Sequence, residues 1–349
     1  MLRSKTTRKN LVTLSGVAAA YILMLVLDGT HSLSSAVSGA LIPISAYIVM
    51  ALSLNLTVGI LGELSLGHAG FMSIGAFSAA VASAGLGQYI HSPVLLMILC
   101  LLIGGILAGI VGFLIGIPVL RLKGDYLAIV TLAFGEIIRN IVSTLYVELR
   151  DGALHFSLFN KSETASGKFL IEGPQGASVT HRISTLGFGF ALVMVTLIVI
   201  MNLVHSREGR AIQAIRDDPI AAGSVGLNIT AYKMKAFVIS AAFAGMAGVL
   251  FALNISTFQA GKFGFNQSIA VLVMVVLGGM GNLRGCVIAA VAVKLLELVL
   301  LDFADIWMLI YAVVLIAVML LGSNARVKQL RAMLSAKLRR NAGRKEAVK

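Results

Sequence analysis

Apolar stretches of about 20 residues recur along nearly the whole sequence, and each is long enough to cross the roughly 30 Å hydrocarbon core of a membrane. Only 12% of the 349 residues are charged and 58% are hydrophobic, whereas a soluble domain has about 25% charged residues. The stretches lie near residues 11–27, 36–58, 65–84, 94–120, 125–147, 185–204, 235–256, 267–281, 286–301 and 305–322. The sequence therefore predicts an all-α integral membrane protein with about ten transmembrane helices.

The basic residues predict how the chain is oriented in the membrane. The formal net charge of +13 comes from clusters between or beyond the apolar stretches, at Arg3–Lys9, Arg121–Lys123, Arg207–Lys235 and Arg326–Lys349. The positive-inside rule places such clusters in the cytoplasm, and an even number of spans then puts both termini there. Aromatic residues are not interleaved with the clusters, so the charge does not indicate nucleic-acid binding.

These spans and loops divide the chain into a transmembrane domain, residues 1–322, and a basic cytoplasmic tail, residues 323–349. Residues 148–184 are expected to form an extracytoplasmic loop with a short helix or hairpin. Residues 205–234 are expected to form a cytoplasmic loop. The N-terminus has the basic and apolar regions of a signal peptide, with "SSA" at residues 34–36 as a candidate cleavage site. We expect this segment to be retained as the first span.

Two Gly-rich segments predict spans that are not simple helices. The segment "NLTVGILGELSLGHAGFMSIGAF", residues 55–77, combines five glycines with polar and ionisable side chains. The segment "LGGMGNLRGC", residues 277–286, places four glycines and Arg284 between two short apolar runs. This composition favours broken or re-entrant helices, which lie against protein or line a cavity. A tight cytoplasmic turn is an equally good interpretation of the second segment.

Polar residues within the spans are candidates for a translocation pathway, because discontinuous helices commonly frame such pathways. Glu136 and Arg139 are three residues apart, so they face the same side of a helix and can neutralise each other. The alternative is a polar patch beside the pathway. Lys294 and Glu297 have the same spacing. The candidate pathway residues are Asn55, Ser65, Gly67, His68, Glu136 and Arg139.

No arrangement of residues in the sequence indicates catalysis, a metal site or a cofactor. The six histidines are scattered, and no two have the spacing of metal ligands. The tripeptide "GKF", at Gly167 and again at Gly261, lacks the upstream glycine and the Ser or Thr of a P-loop. If the protein uses the energy of ATP, another chain must bind the nucleotide.

The cytoplasmic segment "EGRAIQAIRDDPIAAGSVGLN", residues 208–228, predicts two short helices joined by a turn. The first helix begins near Glu208, whose charge suits a helix N-terminus. Asp218 is placed to cap the second helix with Pro219 at its first position, and Gly226 is placed to end it. The apolar residues of the first helix could dock in a groove of another protein: Ala211, Ile212, Ala214 and Ile215. An amphipathic hairpin resting on the membrane is the alternative.

The same segment, extended through "ITAYKMKAFVISAAFAGMAGVLFA", resembles the coupling region of ABC-importer permeases for branched-chain amino acids. "LRLKGDYLAIVTLAFGEIIRNI" and "LGGMGNLRGCVIAA" are similar to two further signatures of that family. "LSLNLTVGILGELSLGHAGFMSIGAF" resembles its Gly-rich third region. The four segments occur in order between about Ser53 and Leu321, and the chain looks like the longer, M-type permease subunit.

The resemblance implies a type II-like ABC importer permease that pairs with a related permease subunit as a heterodimer. It also implies two cytoplasmic ATP-binding subunits, which hold the ATP and Mg²⁺, and an extracytoplasmic solute-binding protein. Membrane lipid is the remaining partner, and the expected location is the cytoplasmic membrane of a prokaryote. The residues implied in coupling to the ATPase are Glu208, Gly209, Arg210, Arg216, Asp217, Asp218, Pro219 and Gly226.

The chain departs from the family pattern at two places. Members often carry Asp and Tyr where this chain has Ser65 and His68, and many have "TGG" where it reads "IEGPQG", Ile171–Gly176. Branched-chain amino acids are the expected solutes, and urea or short-chain amides are the alternative within the same architecture. A stand-alone, ion-coupled secondary transporter is the alternative from another class, although we find no unpaired carboxylate deep in a span.

Overall fold

The computed structural model describes residues 13–25, 35–122, 124–150, 153–158, 168–180, 182–300, 313 and 316. The predicted last span and the tail after it lie outside the described residues, except for the single positions 313 and 316. The N-terminal basic cluster also lies outside them. The chain divides into two compact units, residues 1–291 and residues 292–349.

The described residues are mainly helical, in agreement with the predicted membrane architecture. The helices are α1 (Thr13–Leu25), α2 (Ser35–Asn55), α3 (His68–Leu86), α4 (Pro93–Val119), α5 (Asp125–Ser143), α6 (Leu186–His205), α7 (Arg207–Asp217), α8 (Pro219–Ser224), α9 (Ile229–Ala252), α10 (Phe265–Gly278) and α11 (Leu283–Leu300). Of these, α2 with the turn after it and α3, α4, α5, α6 and α9 are long and apolar enough to cross a membrane. The count of about ten spans stays a prediction.

A five-stranded antiparallel sheet lies where the sequence predicted only an outer loop. Its strands are β1 (Leu145–Arg150), β2 (Ala153–Leu158), β3 (Lys168–Glu172), β4 (Ala177–Ser178) and β5 (Thr257–Phe258). Their order is β2-β1-β3-β4-β5. The β1–β2 hairpin fits the expected hairpin, with Leu145 opposite Leu158. The pairing of Ala177 with Phe258 was not predicted, and it brings the connection after α9 into the sheet.

The sheet and the two short helices α7 and α8 lie at opposite ends of the bundle. Helix α6 begins after β4 and ends at α7, and α9 begins after α8 and ends before β5. An α-helix of about 20 residues is about 30 Å long, which is the thickness of a hydrocarbon core. We call the two ends the sheet end and the hairpin end, and α7 with α8 the hairpin.

Glycine contacts set the spacing of the central helices α3, α4 and α9. A Cβ atom on Gly75 of α3 would lie 1.9 Å from the carbonyl oxygen of Gly245 in α9. A Cβ atom on Gly248 would lie 2.0 Å from the carbonyl oxygen of Met72, and one on Gly112 of α4 would lie 2.6 Å from the Ala241 methyl group. Small residues let helix backbones approach closely in lipid, where packing replaces the hydrophobic drive between helices.

Aromatic rings close the bundle at the sheet end. The Phe258 ring packs edge-on against Phe77 of α3, with the centroids 5.0 Å apart. Phe263 contacts Phe258 and Phe251 at 6.0 and 5.9 Å. Such edge-to-face pairs contribute about 0.5–1.5 kcal/mol each beyond their burial. They attach the sheet to α3 and α9.

In the second unit, the described residues are the end of α11 and the two single positions. Lys294 Nζ donates a hydrogen bond of 2.7 Å to Glu297 Oε2. This ion pair confirms that the two side chains share one helix face, as their spacing predicted.

Replacing Gly75 with alanine is expected to destabilise the bundle, because the new methyl group has no room beside the Gly245 carbonyl. Overpacking of this kind costs about 1–3 kcal/mol. The loss is measured as a lower midpoint of thermal unfolding in detergent. Gly39→Ala is the matched control, since Gly39 is also helical and a methyl group added there would have no other atom within 4 Å. Equal midpoints for the two variants would contradict the close contact.

Candidate functional site

Helix α2 passes into a π-helical turn inside the bundle. The turn, Leu56–Leu61, follows Asn55 directly, and all six of its residues are buried. It ends at Gly62, whose φ of 82° suits glycine. We call residues 56–67 the helix break, because α3 begins only at His68. π-helical turns are rare and occur frequently at functional sites.

Buried side chains hold the two sides of the helix break together. His68 Nε2 lies 2.8 Å from Ser53 Oγ, which joins the start of α3 to α2. Asn55 Oδ1 accepts a hydrogen bond of 2.8 Å from the backbone N–H of Gly281. Gly281 lies in the turn between α10 and α11, which has positive φ at Gly279 and Gly281. The segment "LGGMGNLRGC" therefore forms the tight turn that was one of its two interpretations.

Side chains of α5 and α10 satisfy backbone groups of the helix break and of the first turn of α3. The N–H of Leu66 donates to Thr131 Oγ1 at 3.1 Å, and the N–H of Ala69 donates to Ser268 Oγ at 3.2 Å. Irregular backbone at membrane depth is tolerated only with such partners. A Cβ atom on Gly67 would lie 2.0 Å from the Thr131 carbonyl oxygen. Gly67 therefore allows α5 to approach.

Three of the candidate pathway residues, at the two ends of the helix break, have unpaired polar atoms. Within the described residues, Asn55 Nδ2, Ser65 Oγ and His68 Nδ1 are buried without a hydrogen-bond partner. Leaving such an atom unpaired costs about 1–3 kcal/mol, and buried polar groups are ordinarily satisfied. Each of the three atoms is thus free to form a hydrogen bond, and a role in the pathway stays a prediction.

Glu136 and Arg139 form the predicted ion pair, with Arg139 Nε donating to Glu136 Oε2 at 2.6 Å. The other carboxylate oxygen of Glu136 accepts a hydrogen bond of 3.0 Å from the N–H of Phe265. Phe265 is the first residue of α10, where a carboxylate satisfies a free N–H group and complements the helix dipole. The geometry shows mutual neutralisation and helix capping, and a role in the pathway stays a prediction.

The hairpin has the local structure that its sequence predicted. Ser206 Oγ accepts a hydrogen bond of 3.0 Å from the N–H of Gly209 and caps α7. Asp218 Oδ1 accepts hydrogen bonds from Ile220 and Ala221 at 2.9 and 3.0 Å, and Pro219 begins α8. The predicted cap is confirmed. Both helices are capped and only Asp218 lies between them, so the hairpin is stiff.

The apolar face that could dock on another protein is turned inward at Ile212 and Ile215, whereas Ala214 is exposed. Ile212 and Ile215 are only 1% and 2% exposed because they pack inside the chain. A Cβ atom on Gly209 would lie 2.0 Å from the Leu203 carbonyl oxygen. The apolar side chains that point outward are Ile220 and Val225, which are 84% and 76% exposed.

Charged residues at the start of the hairpin bind the bundle. Glu208 Oε1 accepts a hydrogen bond of 2.5 Å from Lys235 Nζ in α9. Arg210 Nη1 donates to the carbonyl oxygen of His205 at 3.2 Å. These contacts hold α7 against the ends of α6 and α9.

The end of α7 contacts the helix break. Arg216 binds Asp217 Oδ1 at 2.8 Å through Nη2. Its Nη1 donates a hydrogen bond of 3.2 Å to the carbonyl oxygen of Gly59 in the π-helical turn. Gly226 follows α8 with a φ of 85°, as expected of the residue that ends a helix.

Sequence reasoning missed several residues that build this site. Side chains from three different helices form hydrogen bonds with groups at the helix break or at the start of α3: Ser53, Thr131 and Ser268. In addition, an ion pair joins Glu63 to Lys233 of α9. The two serines and the threonine lie in apolar stretches, where a polar residue was a visible signal, whereas Lys233 lies in a basic cluster. No periodic spacing in the sequence indicated which of these residues lie close together in the structure. Within the described residues, no group of three metal-ligating side chains is present.

The apolar helices that are long enough to cross a membrane define a multi-pass helical membrane protein with a projecting hairpin. The family model for the branched-chain amino acid transport system permease component matches residues 36–321, so the chain belongs to that family. No solved structure matches the chain significantly.

Relatives of two kinds resemble the chain. It is 37% identical over 306 residues to the high-affinity branched-chain amino acid transport system permease protein LivM of Escherichia coli, covering 83% of this chain and 70% of that protein. It is 27% identical over 260 residues to the corresponding protein LivH of the same species, covering 72% and 81%. The probable LivM of Methanocaldococcus jannaschii is 25% identical over 288 residues, covering 73% and 78%.

Glu136→Ala is expected to lower the free energy of unfolding by about 1 kcal/mol, the usual cost of losing a helix cap. Glu136→Gln is expected to cost less, because its amide oxygen still accepts the Phe265 N–H. Thermal unfolding in detergent measures both, and solute uptake by cells is the second readout. Loss of uptake in Glu136→Gln without loss of stability would instead place Glu136 in the pathway.

Proposed function

We propose that this chain is a membrane subunit of an ATP-driven importer for branched-chain and other hydrophobic amino acids. The family supports a transport role, and relatives named for such systems in Escherichia coli include both a LivM and a LivH protein. Two related permeases in one species support pairing of this chain with a second, similar subunit. A solute-binding protein delivers the solute, and two further subunits bind ATP and Mg²⁺. The chain itself is not an enzyme.

The hairpin is the main support for this proposal, because it is a rigid surface outside the spans. Ile220 and Val225 are large apolar side chains that a groove on an ATPase subunit would bury. Resting on the membrane is the competing role for the hairpin, but two of its three isoleucines, Ile212 and Ile215, already pack inside the chain. The outward apolar surface is therefore too small for a membrane-bound helix and suits a protein groove.

The solute passes the helix break in this proposal. Asn55 Nδ2, Ser65 Oγ and His68 Nδ1 provide hydrogen-bonding groups for the charged ends of an amino acid. Gly67 shapes the same segment, while Glu136 and Arg139 support it through α5 and α10. Closure of the ATP-binding subunits pushes the hairpin and exposes the pathway alternately to each side of the membrane.

The orientation follows from the basic clusters. The hairpin end is cytoplasmic and the sheet end faces outward, with both termini in the cytoplasm of a prokaryotic cell. The relatives come from bacteria and an archaeon. The sheet then lies where a solute-binding protein docks, and the basic tail anchors the chain near anionic lipid.

Deletion of the gene is expected to abolish uptake of labelled leucine that survives a protonophore and stops when arsenate depletes ATP. The physical reason is that ATP, rather than an ion gradient, drives the transport cycle. Uptake lost to the protonophore while ATP stays high would contradict the importer and support an ion-coupled transporter. Normal leucine uptake with lost uptake of urea or acetamide would change the solute class only.

Ile220→Glu is expected to release the ATP-binding subunits, because a charge in an apolar groove is costly to bury. Affinity purification through a tag on this chain measures their retention, and at least a tenfold loss is expected. Tyr89→Glu is the matched control, since Tyr89 is 76% exposed and follows α3 at the sheet end. Full retention in Ile220→Glu would contradict docking at the hairpin.

A further inference from the structure

Arg216 attaches the hairpin to the π-helical turn in two ways. Its Nη1 donates to the Gly59 carbonyl oxygen at 3.2 Å, and a hydrogen bond from a charged donor is stronger than a neutral one. Its aliphatic part covers the end of the turn, where a Cβ atom on Gly62 would lie 2.5 Å from Arg216 Cγ. The side chain is therefore directed toward the bundle, although it was predicted only as part of an ATPase contact.

The π-helical turn links the Arg216 contact to Asn55, which has one of the unpaired polar atoms. A Cβ atom on Gly59 would lie 2.0 Å from Asn55 Oδ1 and 2.2 Å from the backbone nitrogen of Gly281. The backbone of Gly281 therefore lies directly against Gly59, and the Asn55 side chain, which accepts the Gly281 N–H, lies beside both. Displacement of the turn must move Asn55, because close-packed interiors transmit displacement.

The π-helical turn lies between two segments that are both attached to it. Its hydrogen bonds span five residues, whereas those of an α-helix span four, so a change from one pattern to the other would shift each bond by one residue. Coupling between distant sites requires an element with discrete arrangements that both sites can bias. Arg216 holds the turn from the hairpin side, and the Asn55–Gly281 hydrogen bond holds it from the other side.

We propose that Arg216 is a positioning residue that carries movement of the hairpin to the π-helical turn and so to Asn55. This role presupposes the coupling function proposed above for the hairpin. Ile220 and Val225 contact the ATP-binding subunit, and Arg216 joins that contact to the pathway. Loss of Arg216 separates ATP hydrolysis from transport without releasing the ATP-binding subunits.

The test uses the complex purified through a tag on this chain and reconstituted in liposomes with the solute-binding protein. In Arg216→Gln, leucine transported per ATP hydrolysed falls at least tenfold, while the ATP-binding subunits co-purify in wild-type amounts. Arg216→Lys, which keeps the charge with a shorter reach, recovers part of the ratio. Arg207→Gln is the matched control and stays within twofold, because Arg207 is an exposed arginine at the opposite end of α7.

The outcomes separate the two proposals. An unchanged transport ratio in Arg216→Gln overturns the positioning role and leaves the importer intact. Release of the ATP-binding subunits by Arg216→Gln also overturns it, because Arg216 would then belong to their docking surface. Failure of the wild-type chain to purify with any ATP-binding subunit overturns the proposed function itself.

Discussion

Backbone groups inside a hydrocarbon layer have no water to bind, so each interruption of a spanning helix has to be satisfied by the protein itself. The helix break and the start of α3 meet this requirement with side chains from other helices. Thr131 and Ser268 accept N–H groups, and Arg216 donates to the Gly59 carbonyl oxygen. Helices α5, α7 and α10 are therefore tied to one short segment, and the interruption becomes the point where the bundle and the hairpin meet.

Glycine residues allow the helices of this arrangement to pack closely against one another. Helices α3 and α9 touch through Gly75 and Gly245, and the π-helical turn touches the α10–α11 turn through Gly59 and Gly281. A side chain at any of these contacts would separate the backbones. The bundle is thus closely packed around the π-helical turn, so a displacement of the turn also displaces the backbone segments in contact with it.

The hairpin illustrates how far sequence reasoning extends. Asp218 and Pro219 are adjacent residues whose capping geometry is local, so the sequence was sufficient to predict the end of one helix and the start of the next. The outward direction predicted for the apolar face was wrong for its two isoleucines. Ile212 and Ile215 bury against the chain's own helices, and no pattern within the hairpin specifies which neighbour covers them. The sheet was missed for a similar reason, because β4 and β5 have two residues each and pair across the whole of α6 and α9.

The sequence by itself determined that this is a multi-pass helical membrane protein with a capped helical hairpin. Those properties depend on length, apolarity and neighbouring residues, which are all local. Only the tertiary structure decided which polar groups meet. Arg216 and Gly59 are 157 residues apart, and Asn55 and Gly281 are 226 apart. Such contacts arise when close glycine packing brings whole helices together, and the order of residues along one helix carries no record of its neighbours.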